Sequence, residues 1–480
     1  MTPPGPTALT RRQRVGVLLI CSMSLLIGGL DVTAVNVALP SIGQQLDADL
    51  AWLQWSVSAF NVVMASLLLV AGSTADRFGR KRVLTVGLAL FTAASVLCSV
   101  APTVELLVVA RVLQGAGASM LNPVAMSIIT NTFTDPRERA QAVGVWGAAF
   151  GVSLALGPIV GGALVSAASW RWIFLINLPL GLLAIALVRR YVPESKAPRA
   201  RRFDPVGQVL VAVLLASVTF GIIEAPEAGW TAPLIVGAFG AAVAALVALL
   251  AYEPRRSEPL VDLRFFRSVA FSCSIALSVV AFATFGGFLF LNTMYLQDVR
   301  GLSPVQAGAA VIPIAVMIFA LSPVSGALVG RRGPRAPLTI AGAGFAASCL
   351  MLVELAPGTS MAWLVAAYAL FGVAFGLVNA PITNAAVSGM PRAQAGVAAA
   401  IATTSRQFGQ ALGVAVVGAI AATGSGIGAA DFVAATRPAW WTLTACGAAV
   451  LVLGVLATSD RARASAQRTA SSLDPEAVPA

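Results

Sequence analysis

The sequence of 480 residues contains no histidine and few charged residues. Charged side chains make up 11% of the chain, whereas soluble globular proteins carry about 25%. Without histidine the chain lacks the commonest metal ligand and the usual proton carrier near neutral pH, so proton chemistry falls to carboxylates. The five cysteines stand singly within apolar segments, a spacing that matches neither a zinc site nor a disulfide framework. We therefore expect no metal site and no cofactor.

Lysine is almost absent as well. Lys81 and Lys196 are the two lysines, and neither lies in the G-x-x-x-x-G-K-[ST] loop that binds ATP phosphates. ATP-driven pumping by that loop is therefore excluded. The net charge of +11 would suggest nucleic acid as the partner of a soluble protein. Here we assign it to cytoplasmic loops instead, and we expect no nucleic-acid partner.

Long apolar runs fill most of the chain. Hydrophobic residues make up 58% of it, and the loops between the runs leave no room for a catalytic domain, so we expect no enzyme. A membrane-spanning helix needs roughly 20 mostly apolar residues. The sequence predicts fourteen such spans, at residues 15–39, 52–72, 83–101, 104–129, 141–165, 173–190, 205–223, 232–252, 268–296, 304–329, 338–356, 361–388, 396–422 and 438–459.

The distribution of basic residues predicts the orientation of these spans. If both termini are cytoplasmic, 26 of the 31 basic residues fall in inner segments, three in outer loops and two inside spans. Such an excess on one side is typical of cytoplasmic loops. We expect a multi-pass protein of the bacterial cytoplasmic membrane. The polar residues 460–480 lack apolar periodicity and are predicted to be disordered.

Two short stretches of sequence recur at nearly the same interval. The segment from Gly72 to Arg80 resembles that from Gly326 at an offset of 254, and Arg139-Ala-Gln-Ala resembles Arg392-Ala-Gln-Ala at an offset of 253. The repeat predicts two six-helix halves with spans 7 and 8 inserted between them. The predicted parts are an N-terminal tail (1–14), a six-helix bundle (15–190), loops with the inserted spans (191–267), a second bundle (268–459) and a C-terminal tail (460–480).

Two charged residues interrupt apolar spans. Asp31 lies in Leu-Asp-Val-Thr-Ala-Val-Asn within span 1, and Arg111 lies in Arg-Val-Leu-Gln-Gly-Ala-Gly within span 4. A charge at the centre of a span costs about 2.5–3.5 kcal/mol on insertion scales, so such residues usually have a function. Asp31 is the leading candidate for a proton site. The alternatives are a structural cap for Asp31 and a purely structural ion pair for Arg111.

Two glycine-containing motifs stand out. The loop between spans 2 and 3 holds Gly72, Asp76, Arg77, Gly79 and Arg80, where glycine permits a tight turn and aspartate can cap a helix. A plain positively charged loop is the alternative. Span 5 holds a second motif, in which small residues permit close helix packing and proline kinks the helix: Gly157, Pro158, Gly161 and Gly162. A generic packing face is the alternative there.

Together with Trp170-Arg-Trp-Ile-Phe-Leu-Ile-Asn177, these motifs resemble those of fourteen-span drug:proton antiporters of the major facilitator superfamily. The resemblance covers nearly the whole chain. It implies an all-α polytopic membrane protein with two six-helix bundles and two extra helices between them. It also implies that Asp31 and Arg111 couple transport to protons, that the Asp76–Arg80 loop latches the two halves, and that the span-5 motif marks an antiporter.

We therefore expect a proton-coupled exporter of amphipathic drugs or a natural-product antibiotic, working by alternating access as a monomer. A proton-coupled metabolite symporter and a non-transporting membrane sensor are the alternatives. Arg406 stands in span 13, where some relatives that export dications carry an acid, which favours neutral, zwitterionic or anionic substrates. The candidate cavity residues are Asn36, Gln114, Asn122, Asn177, Asn292 and Arg406.

Overall fold

The computed structural model of this protein describes residues 10–197, 203–256, 258–388, 390–391, 394–422 and 429–473. Its regular structure is helical throughout these ranges. Twelve helical segments are long and apolar enough to cross a membrane. Two further helices, Arg335–Met351 and Ala395–Ala421, occupy the places of predicted spans 11 and 13 but are not among the twelve. The count of fourteen spans therefore stays a prediction.

The first half contains eight helices, of which α4 with α5 and α7 with α8 each form one broken span. Side chains at the helix starts stabilise the boundaries: Asp49 accepts a hydrogen bond from the amide of Trp52, and Thr103 accepts one from that of Leu106. The helices are α1 (Arg11–Leu46), α2 (Leu50–Phe78), α3 (Arg80–Ser99), α4 (Val104–Ser119), α5 (Leu121–Thr132), α6 (Pro136–Ala167), α7 (Arg171–Leu175) and α8 (Asn177–Tyr191).

The second half follows two inserted helices, α9 (Pro205–Ala228) and α10 (Pro233–Tyr252), which pack against each other. A π-helical turn, Tyr295–Val299, extends its first helix. The helices of this half are α11 (Val269–Met294), α12 (Pro304–Ala310), α13 (Ile312–Arg332), α14 (Arg335–Met351), α15 (Met361–Val387), α16 (Ala395–Ala421) and α17 (Ala429–Ala457), and α18 (Asp460–Leu473) ends the described chain.

The two halves repeat one packing scheme. In the first half, α1 packs on α6, α2 on α4, and α3 on α8. In the second half, α11 packs on α16, α13 on α15, and α14 on α17, which are the corresponding pairs in chain order. The halves meet where α2 contacts α16 and where α6 contacts α12 and α13. We call these contacts the seam.

The halves are also joined at one end of the bundle. We call the end with the start of α1 and the turn at Gly79 the near face, and the end with connections 47–49, 100–103 and 168–170 the far face. At the far face, Gln297 Nε2 donates to the carbonyl oxygen of Val37 at 2.8 Å. The amide of Val305 donates to Ser166 Oγ at 3.2 Å. The far face is therefore closed by contacts between the halves.

Helix extends into both predicted tails, and the predicted disorder of the C-terminal tail is wrong for residues 460–473. Helix α1 begins at Arg11, inside the predicted N-terminal tail 1–14, because Thr10 and Gln13 form a capping box. Residues 460–473 of the tail predicted to be disordered form α18, whereas 474–480 lie outside the described residues. Small residues account for α18: Ala462 and Ala466 pack against Ala270, and Ser465 Oγ accepts a hydrogen bond from the amide of Val269. A search for large apolar residues misses such a face.

Candidate functional site

Asp31 lies inside the first half, where three side chains contact its carboxylate. It is 1% exposed and sits on α1. Arg111 Nη1 on α4 is 2.5 Å from Asp31 Oδ2. Gln114 Nε2 donates to Oδ1 at 2.8 Å, and Asn177 Nδ2 on α8 donates to the same oxygen at 3.2 Å. The spacing of the motifs gave no distance between Asp31 and Arg111, and the structure brings them into direct contact.

Arg111 is equally enclosed, but it has partners other than Asp31. Its Nε donates to the carbonyl oxygen of Ser56 at 2.9 Å, and its Nη1 also donates to Gln114 Oε1 at 2.6 Å. The guanidinium carbon lies 4.3 Å from the centre of the Phe60 ring and 5.7 Å from that of Phe174. A guanidinium over an aromatic face is stabilised by the ring quadrupole. Arg111 would therefore keep partners if Asp31 lost its charge.

Several residues of this cluster were absent from the sequence prediction. Ser95 on α3 accepts hydrogen bonds from Gln114 at 2.8 Å and from Asn177 at 3.4 Å. Ser56 and the rings of Phe60 and Phe174 belong to α2 and α7. Serine and phenylalanine are ordinary residues in apolar spans, so no motif singles out Ser56, Ser95 or Phe60, whereas Phe174 stands within the Trp170–Asn177 motif. The cluster thus joins spans 1, 2, 3, 4 and 6 of the first half.

Gln114 and Asn177, two of the predicted cavity residues, lie inside the first half in this structure. Both side chains are fully buried, with 0% exposure, and both contact Asp31. Both α4 and α8 pack against α3, and Ser95 on α3 accepts hydrogen bonds from both amides. Their amides compensate the charge of Asp31 inside the first half instead of lining a space between the halves.

The span-5 motif contacts both α1 and the second half. A Cβ atom added to Gly161 would lie 3.0 Å from the Cα and Cβ atoms of Ala34, and Gly157 packs against Thr33. On another side of α6, Gly162 packs against the carbonyl oxygen of Pro304 on α12, and the carbonyl of Pro158 packs against Gly308. The motif therefore links the helix that carries Asp31 to the seam.

The loop motif makes its described contacts within the first half. Arg80 donates to Asp76 Oδ1 from Nη2 at 2.9 Å and from Nε at 3.1 Å. Gly79 has a φ angle of +113°, a backbone conformation that side chains disfavour, and it ends α2 and precedes α3. The amide of Lys81 donates to Glu194 Oε1 at 3.1 Å. Gly72 has open space around it, and Arg77 lies over the ring of Phe78. The latch between halves stays a prediction.

Two predicted cavity residues face one small cavity between the halves. Asn36 and Asn292 line it from α1 and α11, together with Thr33, Val37, Pro158, Leu289, Thr293, Leu296, Ala307 and Val311. The Oδ1 atom of Asn36 is buried without a hydrogen-bond partner. Tyr368 donates a hydrogen bond to Asn292 Oδ1. Asn122 lies on α5, away from this cavity, and is half-buried.

Arg406 is the charged residue at the centre of the second half. It lies on α16, where it donates to Thr383 Oγ1 of α15 and sits 5.7 Å from the centre of the Phe282 ring of α11. Its buried Nε has no hydrogen-bond partner. Among the ion pairs of the described residues, none contains Arg406. Its guanidinium is therefore less completely satisfied than that of Arg111.

These features define an all-helical polytopic membrane protein whose two repeated halves enclose a charged centre. Comparison with known proteins identifies the family: residues 21–414 match the Major Facilitator Superfamily. The chain belongs to this superfamily of membrane transporters and is not an enzyme.

The chain is also similar to individual proteins of the family. It is 34% identical over 411 residues to the multidrug resistance protein Stp of Mycobacterium tuberculosis (strain CDC 1551 / Oshkosh), covering 86% of this chain and 76% of that one. It is 35% identical over 421 residues to the tetracenomycin C resistance and export protein of Streptomyces glaucescens, covering 88% and 76%. A crystal structure of a D-xylose-proton symporter matches with a TM-score of 0.66 at 16% identity, covering 92% and 97%. That last match concerns the fold alone.

Proposed function

We propose that this chain is a proton-coupled exporter of amphipathic drugs or a natural-product antibiotic, of the fourteen-span drug:proton antiporter type. The names of two relatives, one a multidrug resistance protein and one a resistance and export protein, support export of such compounds. The absence of an ATP-binding loop from the sequence supports an ion gradient as the energy source. Neither argument identifies the residue that binds the proton.

The observation that carries the proposal is the buried contact between Asp31 and Arg111 next to the seam. Asp31 binds a proton, and its ion pair with Arg111 is then lost. Arg111 remains held by Ser56 and Gln114 and by the ring of Phe60. Protonation leaves the guanidinium without a counter-ion, and these neutral partners reduce the cost of burying its charge.

The close packing of α1 on α6 connects protonation of Asp31 to transport. Thr33 and Ala34 follow Asp31 on α1 and touch Gly157 and Gly161 of the span-5 motif. A shift of α1 after protonation changes this contact and therefore the position of α6 at the seam. Closely packed interfaces switch between discrete arrangements instead of deforming continuously. Proton binding in the first half is thus coupled to the movement of the two halves.

The closed far face corresponds to one state of such an exporter. We propose that both termini are cytoplasmic, so that the near face is the cytoplasmic one, in the bacterial plasma membrane. Contacts at Gln297 and Val305 then close the outer side, as an inward-facing state requires. Substrate enters from the near face, and the transporter works as a monomer without a cofactor, driven by the proton gradient.

Arg406 favours substrates that carry a negative or polar group. Its partly unsatisfied guanidinium lies between α11, α15 and α16, beside the Phe282 ring. Arginine binds carboxylates and other anions through its fixed fork of donors, and the adjacent ring suits an apolar body. We expect acidic or zwitterionic amphipathic compounds to compete better than dications.

The test is transport into inverted membrane vesicles energised by an imposed proton gradient. A panel of dyes and antibiotics is offered to vesicles that contain the wild type, Asp31→Asn or the matched control Asp47→Asn. Asp47 lies exposed at the far-face end of the same helix, in a left-handed conformation that asparagine tolerates. We expect gradient-dependent uptake in the wild type and in Asp47→Asn, and its loss in Asp31→Asn.

Each other outcome contradicts a defined part of the proposal. Uptake that survives in Asp31→Asn would leave an exporter with its proton site elsewhere. Movement of substrate and protons in the same direction would indicate a symporter. If the reconstituted protein bound compounds but produced no gradient-dependent flux with any of them, it would be a sensor.

A further inference from the structure

Two carboxylic acids, Asp204 and Glu253, lie together at the near-face ends of the inserted helices. Asp204 is the N-cap residue of α9, and Glu253 opens the short turn Glu253–Arg255 that follows α10. Both are enclosed by protein, with exposures of 3% and 1%. They lie far along the chain from Asp31 and take no part in the mechanism proposed above.

Only one of the two carboxylates is well provided with hydrogen-bond donors. Asp204 Oδ1 accepts from the amide of Gly207 at 3.0 Å and from the Tyr252 hydroxyl at 3.1 Å. Asp204 Oδ2 and both carboxylate oxygens of Glu253 are buried without a hydrogen-bond partner. A Cβ atom added to Gly207 would lie 2.7 Å from Glu253 Oε1 and 3.0 Å from Asp204 Oδ2. The unpartnered oxygens therefore border the same small space.

The surroundings can stabilise one negative charge at this place but not two. The N-terminus of α9 and two donors favour a charged Asp204. The backbone amides of Val261 and Leu260 favour a charged Glu253, and Arg256, which is exposed, adds weaker support as a cation. Within the described ranges, neither acid has an ion-pair partner. Two adjacent carboxylates in a buried site cannot both ionise without a large cost.

We propose that Asp204 and Glu253 hold one proton between them and form a proton-binding site that is separate from Asp31. The proton comes from water at the near face, and the protonated Glu253 donates it in a hydrogen bond to Asp204 Oδ2. The pair then carries one negative charge, and the unpartnered oxygens gain a shared partner. This inference does not depend on the chain being an exporter.

The position of the pair gives it a role at the seam. Helix α9 contacts both α2 of the first half and α16 of the second half. Gln208, one turn along α9 from Asp204, donates a hydrogen bond to the carbonyl oxygen of Ser66 on α2. Apolar side chains from α2, α9, α10 and α16 pack together nearby: Val62, Ala65, Val211, Leu215, Leu249 and Ala411. Loss of the proton makes the two acids repel, and this loosens the inserted helices from both halves.

Infrared spectroscopy of the full-length protein in lipid discs tests the site directly, because a protonated carboxylic acid gives its own carbonyl band. We compare the wild type with Glu253→Gln and Asp204→Asn near neutral pH in H₂O and D₂O. Asparagine keeps the N-cap acceptor of α9. We expect Glu253→Gln to remove a deuterium-sensitive component and Asp204→Asn to shift the frequency of the same component, because the proton on Glu253 then loses its carboxylate acceptor. The controls Asp31→Asn and Glu224→Gln, the latter at the far-face end of α9, leave it in place.

A second readout follows the stability of the same proteins against pH. A proton held more tightly in the folded state stabilises that state at low pH, and this contribution is lost as the pH rises. We expect the unfolding temperature of the wild type to fall relative to that of Glu253→Gln as the pH rises from about 4.3, the ordinary pKa of glutamate, through neutrality. Parallel curves for the two proteins would contradict the proposal.

Three infrared results would overturn the shared proton. No spectral difference in either variant would mean that both acids are ionised. Loss of half the component in each variant would mean two separate neutral acids. A missing component together with sodium-dependent stability would assign the space to a cation.

Discussion

At the centre of the first half a buried ion pair joins α1 to α4, whereas at the centre of the second half stacked aromatic rings join α11 to α15. Phe285 stands 254 residues after Asp31, the interval of the internal repeat. Its ring centre lies 4.2 Å from that of Phe375, and Phe288 lies 3.9 Å from Phe371. At corresponding positions of one packing scheme, the first half thus carries a carboxylate and the second half an aromatic ring.

The difference shows that two halves with the same helix packing can have interiors of different chemistry. The hydrogen-bonded cluster around Asp31 contains a buried ion pair with Arg111, on which the proposed coupling to protons rests. The stacked rings of the second half contain no titratable group and hold their helices by shape and dispersion.

Removal of one partner of the Asp31–Arg111 ion pair is expected to lower the stability of the protein most. Arg111→Gln leaves Asp31 buried without its cation, and removal of one partner from a buried pair costs about 3–5 kcal/mol. Asp31→Asn costs less, because Arg111 keeps Ser56, Gln114 and Phe60. Unfolding temperatures of the purified proteins measure the order. The double variant should recover much of the stability lost in Arg111→Gln, since two neutral side chains need no compensation.

The two single variants and the double variant together separate the effect on stability from the effect on proton-coupled transport. The double variant should remain inactive in gradient-driven transport although it is stable, because it has no group at Asp31 to exchange a proton. Equal losses of stability in the two single variants would contradict the role of the additional Arg111 partners.

Adding a methyl group between α1 and α6 is expected to lower the stability of the protein by an intermediate amount. In Gly161→Ala the new methyl group meets Ala34 at 3.0 Å, and overpacking of this kind typically costs about 1–3 kcal/mol. Gly144→Ala is the matched control on the same helix, because nothing lies within 4 Å of its added Cβ atom. Alanine there should stabilise the helix by up to about 1 kcal/mol. Thermal unfolding distinguishes the two, and similar shifts for both would refute the close contact.

Loss of an exposed ion pair in the second half should have the smallest effect on stability and transport. Arg437 Nη2 and Glu354 Oε2 are 3.0 Å apart, but the side chains are 48% and 75% exposed. Such pairs contribute about 0–1 kcal/mol and are screened by salt. Arg437→Gln should therefore leave unfolding temperature and transport nearly unchanged, in contrast to Arg111→Gln. A loss comparable to that of Arg111→Gln would show that exposure does not explain the contrast between the two ion pairs.

Much of the architecture could be predicted from the sequence because the bilayer imposes a simple rule. A span must be long and apolar, so runs of apolar residues mark helices such as α2 and α9. A charge inside such a run is costly, so Asp31 and Arg111 are conspicuous. The near-equal offsets of two motifs also predicted two halves, and the helices pair accordingly. Helix α18 was missed because its contacts use alanine and serine.

Contacts between distant helices were decided only by the tertiary structure. The sequence alone determined which segments are apolar, which of them carry a charge, and which motifs the chain has. It could not determine that Gln114 and Asn177 turn towards Asp31, or that Asp204 meets Glu253 beside Gly207. Such contacts depend on the rotation and tilt of each helix. Those are set by packing summed over many neighbours, which no local pattern of residues records.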